Sequence, residues 1–592
     1  MDLVQKRYIQ DRITTLPKGN ITYKTINGKK YPYYQWQENG KQRSRVVKAN
    51  ELAELLESIS LRKKLEKELQ ETVHQKENIS SVLDREYFSL IKYGDELLDF
   101  VSPVATLNKR EIFSELKDYV YGNSYDRVFI LYGLRRTGKT TLIRQVIWEM
   151  PVDMRKKAAY IQINASMDLA KINLDLRKLA HNGYKYIFID EVTLMEDFIE
   201  GAAIFSDIFA STGMKVVLSG TNSLGFSFTE TDELYDRCFM LHTTFIPYRE
   251  FEKVLQLRGL DNYICYGGTM SLSGKHYNDQ RGIFFSKERT DEYVDTAIAK
   301  NIQHSLKNYA YGGHFRHLRE LYEANELTNA INRVVEDINH RFTLEVLTRE
   351  FKSGDLSISS KNMLKDKNNP SDILFQLDRE TITEKLRQAL EIKNIKEQSI
   401  KLEDYHRKEI KEYLNLLDLT VEIDVVDLEV LHNKTTSTVF SQPGLRYAQA
   451  KSLVEYIMED DIFRQFSLIE RNAATKRILN EVKGRMMEEI VLLETKKTLP
   501  NCKVFKLKFA RGEFDMVVFN PETASCKIYE IKHSEERSPE QVRQLLDEEK
   551  CERTTFRYGA IEGKYVLYRG NPCFVDGVEY VNVENYLLGL GS

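Results

Sequence analysis

Residues 127–150 read RVFILYGLRRTGKTTLIRQVIWEM, and the order of residue types along them decides the fold. An apolar run, RVFILY, ends at Gly133; a short polar turn follows; a helical pattern, LIRQVIWEM, comes next. That order predicts a buried strand, a tight loop and a helix. The turn itself is Gly133-Leu-Arg-Arg136-Thr137-Gly138-Lys139-Thr140-Thr141, which has the G-x-x-x-x-G-K-[ST] spacing of a phosphate loop. Glycine lets the backbone wrap closely, so that amide N–H groups at a helix N-terminus point inward at phosphate oxygens. Lys139 is expected to reach the β- and γ-phosphates and the Thr140 hydroxyl to hold Mg²⁺. ATP is the expected ligand, with Gly133, Arg136, Thr137, Gly138, Lys139, Thr140 and Thr141 around it.

Working outward, a hydrolytic site needs an apolar strand that ends in acid. Residues 186–191, YIFIDE, supply one fifty residues beyond Thr140. Asp190 is expected to hold Mg²⁺ through its water shell and Glu191 to polarise the attacking water. Taken alone, the same run reads as a buried strand ending in two solvated acids; its place after a phosphate loop favours the catalytic reading. A third strand, residues 215–222, ends in Ser219-Gly220-Thr221-Asn222, where Thr221 and Asn222 are candidates to sense the γ-phosphate. Arg237, in ELYDRCFML, is a candidate arginine finger for transition-state charge. Spacing alone fits a surface arginine paired with Asp232 or Asp236 equally well.

From about residue 100 to the end, the chain resembles a large prokaryotic family of AAA ATPases that carry a C-terminal domain of unknown function. The resemblance rests on YGLRRTGKTTLIRQ (132–145), YIFIDEV (186–192), LSGTNS (218–223), FIPYREF (245–251), YICYGG (263–268) and FSQPGLRY (440–447). It implies Mg²⁺-dependent ATP hydrolysis, a third strand lying between the first two, Arg237 as a finger or sensor, and a homo-oligomer with sites at subunit interfaces. The segment LPKGNITYKTINGKKYPYY (16–34) is similar to short modules fused to other bacterial proteins.

A second constellation lies near the C-terminus. Residues 512–519, GEFDMVVF, and 527–532, KIYEIK, read as neighbouring strands, the first with Asp515 near its start and the second with Glu530-Ile-Lys532. Residues two apart on a strand share a face, so Glu530 and Lys532 point the same way. This skeleton resembles the PD-(D/E)xK nucleases. The resemblance implies that Asp515 and Glu530, with Glu488 from the preceding helix, bind Mg²⁺ and that Lys532 orients the attacking water. A supporting glutamine is expected at Gln541 or Gln544, on a helix opened by Ser538. The competing reading keeps the fold but makes the site idle, a surface that binds DNA or a protein partner.

The expected architecture is α/β. Residues 1–48 form a basic β meander, 49–94 a helical hairpin or coiled coil, and 95–250 the AAA P-loop core with a parallel sheet. Residues 251–340 form a helical lid or connector, 341–475 a helical and winged-helix-like region, and 476–592 the restriction-endonuclease-like domain. The loop at 353–372 reads as a linker. Net charge is −3, yet residues 1–50 carry eleven Lys and Arg against three acids, and Tyr and Trp alternate with these cations. Such a surface suits phosphate and base contact; packed aromatics on a small sheet are the plainer alternative. No run of ~18 apolar residues spans a bilayer. Six scattered cysteines without a C-x-x-C pair suit reduced thiols, so the expected location is cytoplasmic. His314 and His317, without an acid or cysteine cluster, read as a solvated helix face.

Overall fold

The structure is a computed structural model. It describes residues 16–26, 29–38, 41–48, 51–52, 54–63, 87–123, 126–164, 166–195, 197–221, 234, 236–268, 315–324, 326–352, 402–429, 434–459, 461–464 and 466–591. The linker at 353–372, Asn222, Asp232, His314 and the second half of the helical segment at 64–86 lie outside the described residues. The chain divides into two compact units, one of residues 1–88 with 170–179 and one of residues 89–169 with 180–592.

In the first unit, alternating residues build an antiparallel meander of β1 (Asn20–Ile26), β2 (Lys29–Glu38) and β3 (Lys41–Val46). One face carries Ile21, Tyr34 and Trp36, which pack with Val47 and with Leu52, Leu55 and Ile59 of a helical stretch at 54–63 and just before it. The Tyr34 and Trp36 rings stack with centroids 5.2 Å apart. These two aromatics are therefore core residues of a small sheet, the plainer of the two readings of this segment. Arg43 and Arg45, opposite Trp36 and Tyr34 in register, stay exposed.

The second unit opens with β4 (Leu90–Lys92), α1 (Gly94–Val101) and α2 (Phe113–Tyr121). β5 (Val128–Tyr132) follows, then α3 (Lys139–Glu149), β6 (Ala158–Gln162), β7 (Tyr186–Asp190), β8 (Lys215–Gly220) and β9 (Cys238–His242); the helix between β6 and β7 in sequence, α4 (Leu169–His181), is grouped with the first unit over residues 170–179. The six strands form one sheet in the order β4-β6-β7-β8-β5-β9. All neighbours are parallel except β4 against β6. A parallel sheet is covered on both faces, so its strands read as continuous apolar runs; Val128–Leu131 and Val216–Leu218 are fully enclosed. β8 lies between β5 and β7, as the resemblance implies. α1, α2 and α3 close one face through Leu97, Val101, Leu116, Val120, Leu142, Ile143 and Val146.

Helices come next: α5 (Tyr248–Leu255), α6 (Leu260–Tyr266), α7 (Arg316–Glu323), α8 (Leu327–Lys352) and α9 (Asp404–Leu416). A hairpin of β10 (Thr420–Asp427) and β11 (Lys434–Phe440) leads to α10 (Pro443–Met458) and the 31-residue α11 (Leu468–Thr498). Ser467 caps α11 and forms a reciprocal box with Glu470. The chain ends in β12 (Lys503–Lys508), β13 (Glu513–Asn520), β14 (Ser525–Ile531), α12 (Glu548–Tyr558), β15 (Ala560–Tyr568), β16 (Cys573–Val575), β17 (Val578–Asn582) and α13 (Val583–Gly589).

The hairpin is where the fold departs from the sequence expectation. β10 pairs in parallel with β12, so β10 and β11 are the edge of an eight-stranded sheet ordered β11-β10-β12-β13-β14-β15-β17-β16. The hairpin is no free wing, and the boundary expected at 476 falls inside α11. The β12-β13-β14 meander supplies the central strands. α11 crosses that sheet and joins its core to α5 and α6, where Tyr248, Phe251, Tyr263 and Ile264 pack with Met486, Met487, Ile490 and Val491. Among the described residues no helix is long and apolar enough to cross a membrane, and all six cysteines are free thiols.

Candidate functional site

The phosphate loop leaves β5 through two residues whose backbone is forced. Gly133 has φ 138° and Gly138 φ 93°, the latter as the residue before α3. A Cβ on Gly133 would stand 2.4 Å from the Thr243 carbonyl oxygen, so glycine is required there for space as well as for conformation. Arg136 also takes a left-handed φ of 64°. Thr137 braces the loop from within, donating to Leu134 O at 2.7 Å and meeting the Thr243 hydroxyl at 2.8 Å.

Lys139 is buried, and its ammonium donates to Gly133 O at 2.8 Å and Leu134 O at 2.7 Å. Burial pushes it down to about 8, against the upward pull of Glu191 and Asp190. With only carbonyl oxygens accepting from it, the buried ammonium gains from an anion placed beside it, and triphosphate charge there stabilises the protonated form. Thr140 donates its hydroxyl to Asp190 Oδ2 at 2.7 Å. The same oxygen accepts from Tyr160 OH at 2.8 Å, while Asp190 Oδ1 accepts from Ser219 and from Glu191 N. Asp190 is thus the hub that joins α3, β6, β7 and β8.

Glu191 follows directly, at a left-handed φ of 59° that few side-chain-bearing residues adopt. Burial raises its carboxyl, opposed by Lys139, which makes the carboxylate more basic than an exposed one. Thr221 contacts Glu191 Oε2 at 3.4 Å, a long contact. The third strand therefore presents Ser219 to the acid pair as well as Thr221. Sequence reasoning named the strand end and passed over Ser219 as a candidate.

Two further participants had no local signal. Arg110, buried ahead of α2, donates to Thr137 O at 2.8 Å and through Nε to Glu250 Oε2 at 2.6 Å on α5. His242, at the end of β9, stacks flat on Tyr132 at 4.6 Å, and its Nε2 is buried without a hydrogen-bond partner. Arg237 lies elsewhere. It precedes β9, whose register pairs Cys238 with Val128, so it stands at the end of the sheet away from its own loop. Among the described residues its partner there is Asp207, at 3.0 Å, rather than Asp236, which bonds Arg127.

The C-terminal residues also come together, with one difference. Lys532 Nζ lies 3.1 Å from Asp515 Oδ2 and 2.7 Å from Glu530 Oε2. Asp515 also accepts from Ile531 N at 2.8 Å, which ties the ends of β13 and β14. Burial, then the Asp515 charge, push Glu530 well above the carboxylate range, and both acids pull Lys532 up. Glu530 Oε1 is buried with no hydrogen-bond partner. What the pair offers a divalent cation is that one orphaned oxygen beside Asp515, with the Lys532 ammonium already between the two acids. Glu488 instead pairs with Lys506 on β12 and Arg485 on its own helix, which hold it down at about 2. Among the described residues no group of three or more His, Cys, Asp or Glu is placed to hold a metal. Gln541 turns to Ser534 and the Glu536 carbonyl, and Gln544 to Lys550, so neither supports the acids. The expected helix at Ser538 is a single 3₁₀ turn.

Residues 125–252 match a family model described as "AAA domain", and residues 2–57 match one described as "Domain of unknown function (DUF6788)". The chain matches no curated protein. Among solved structures it is similar to one described as the Aeropyrum pernix ORC1 protein in complex with DNA. Identity is 13% over 63% of this chain and 98% of that chain, with a TM-score of 0.22. That superposition is too loose to carry function. The matched segment takes in the phosphate loop, Asp190, Glu191, β8 and the first turn of α5, so residues 125–252 form a P-loop domain of the AAA type.

Proposed function

We propose that the protein hydrolyses ATP at the β5–α3 loop and uses the cycle to act on DNA through its C-terminal site. The carrying observation is the 2.7 Å hydrogen bond from Thr140 to Asp190, which closes the loop and the acid strand into one site. Lys139 binds the β- and γ-phosphates, with the loop amides around them. Thr140 and Asp190 are the residues that would hold Mg²⁺, which when bound neutralises charge between those phosphates. Glu191, held in place by its backbone and raised by burial, orients the attacking water and takes its proton. Ser219 and Tyr160 fix the Asp190 carboxylate, so no reorganisation is needed as charge develops. Asn222 and Thr221 remain the γ-phosphate sensing candidates, and a cytoplasmic homo-oligomer the setting.

At the C-terminus, Asp515 and Glu530 would hold a divalent cation against DNA phosphate, with Lys532 placed to orient water or offset charge. The basic residues of the N-terminal module add phosphate contact. A non-cutting reading is favoured by one observation: Glu488 is taken by Lys506 and Arg485, which leaves two acids where cleavage expects three. In that reading the site binds DNA or a protein partner and ATP turnover works as a switch.

Both readings predict ATP turnover that Lys139→Ala abolishes and that Glu191→Gln stops while nucleotide still binds. Absence of turnover under any stimulus, DNA included, overturns both. Plasmid cleavage with Mg²⁺ that disappears in Asp515→Ala and Lys532→Ala establishes the nuclease; turnover without cleavage in the wild type establishes the switch.

A further inference from the structure

A chain of contacts runs from the phosphate loop to Lys532, and α6 is its middle link. It starts at Thr137 O, which accepts from Arg110, and passes to Glu250 on α5. Beside Glu250, the Phe251 ring packs edge-on against Tyr263 of α6, centroids 5.1 Å apart. On α6, Asp261 points into the C-terminal half. Its Oδ1 accepts from Lys483 of α11 at 3.0 Å and its Oδ2 from Arg569 at 2.8 Å.

Arg569 then carries the contact inward. Its NH1 lies 3.2 Å from His533 Nε2, and its backbone N donates to Ser534 O at 3.0 Å. His533 is covalently next to Lys532, whose own N–H donates to Leu567 O at 2.9 Å. A second tie fixes the same helix: Leu260 N at the start of α6 donates to Glu584 Oε1 of α13 at 2.9 Å. α6 therefore follows α5 directly while its one charged side chain, Asp261, is bonded to Lys483 and Arg569. Burial works against the Asp261 charge, yet Lys483 and Arg569 hold its carboxyl below the ordinary range, so the links are charged and short.

We propose that Asp261 is a positioning residue through which nucleotide at the phosphate loop sets where Lys532 stands between Asp515 and Glu530. The physical reason is that α5 and α6 share one packed core with α11. A shift of Arg110 or Glu250 on nucleotide binding moves α6 as a body, and the two salt bridges of Asp261 transmit it to the 532–534 turn. Packed elements change between discrete arrangements rather than flexing smoothly, which is what lets a small displacement be felt there. The inference rests on the ATPase reading of the loop; it does not need the C-terminal site to cut.

The test is hydrogen exchange on the full chain, with and without a non-hydrolysable ATP analogue and Mg²⁺, reading the peptide that spans residues 528–534. In the wild type, nucleotide changes exchange there at least about fivefold, the lower end of ordinary coupling. Asp261→Asn removes that change while analogue affinity and melting temperature stay near wild type, and Asp261→Glu restores it. Where Asp261→Asn is unstable, Lys483→Met, which leaves the Arg569 bridge in place, halves the response instead of abolishing it. Analogue binding with no change at 528–534 in the wild type overturns the inference alone, as does a response that survives Asp261→Asn. Failure of the wild type to bind the analogue overturns the ATPase reading and this inference with it.

Discussion

Gly133 and Glu494 show what a single residue decides in this fold. Gly133 stands at φ 138° with the Thr243 carbonyl where a side chain would begin. Gly133→Ala is expected to displace the loop from β9, to cost roughly 1–3 kcal/mol of stability and to abolish nucleotide binding. A melting curve and a nucleotide titration that both match wild type would refute this. Glu494, on α11, is buried and accepts the Tyr248 N–H at 2.7 Å. Burial lifts it to about 7, only partly opposed by that N–H, so the folded state holds a proton that the unfolded chain has released. The stabilisation is complete below the ordinary glutamate range and is lost as pH rises from about 4.5 through about 7. Wild type should therefore lose on the order of 3 kcal/mol over that window relative to Glu494→Gln, measured as paired denaturant melts at pH 5 and pH 8. A pH-independent difference between the two would show that Glu494 does not titrate there. Lys139, Thr140, Asp190 and Glu191 were legible because spacing alone places them; Ser219 was not, because nothing along the strand says which of its polar residues faces the acid.

At the scale of elements, the Arg110–Glu250 pair ties the segment before α2 to the helix after β9. Both side chains are enclosed, and removal of one partner strands the other charge. Arg110→Met is expected to cost about 3–5 kcal/mol and to weaken nucleotide binding, because Thr137 O loses its donor. Arg110→Met with Glu250→Leu should regain most of the stability and little of the binding; equal recovery of both would mean that the pair is only structural. The strands and helices themselves were largely visible in the sequence, since parallel strands read as apolar runs and α11 as an uninterrupted helical pattern. Their partners were not. β10 and β11 alternate like any hairpin, and only tertiary pairing with β12, about eighty residues on, makes them the edge of the C-terminal sheet. The meander of the first unit shows the same limit: alternation predicted its strands, while the burial of Tyr34 and Trp36 depends on a helix that the strands do not encode.

For the whole molecule, the position of Arg237 decides what the proposed homo-oligomer would have to supply. β5 advances about 17 Å between Val128 and Gly133 at ~3.3 Å per residue, and Arg237 lies beyond the Val128 end. It therefore has no route to its own γ-phosphate, and a catalytic role is open to it only on a neighbouring subunit's nucleotide. Its bond to Asp207 joins two half-exposed side chains, a contact worth about 0–1 kcal/mol, so little opposes its transfer to phosphate. Hydrolysis per chain should rise with protein concentration. Arg237→Ala and Lys139→Ala should each be inactive alone, the first with nucleotide binding intact. Mixed in equal amounts they should recover about a quarter of wild-type turnover, because in a head-to-tail assembly half of the intact loops meet an intact arginine. Full activity of Arg237→Ala at every concentration would assign the residue to the surface ion pair alone and leave the loop, Asp190 and Glu191 as a site complete within one chain.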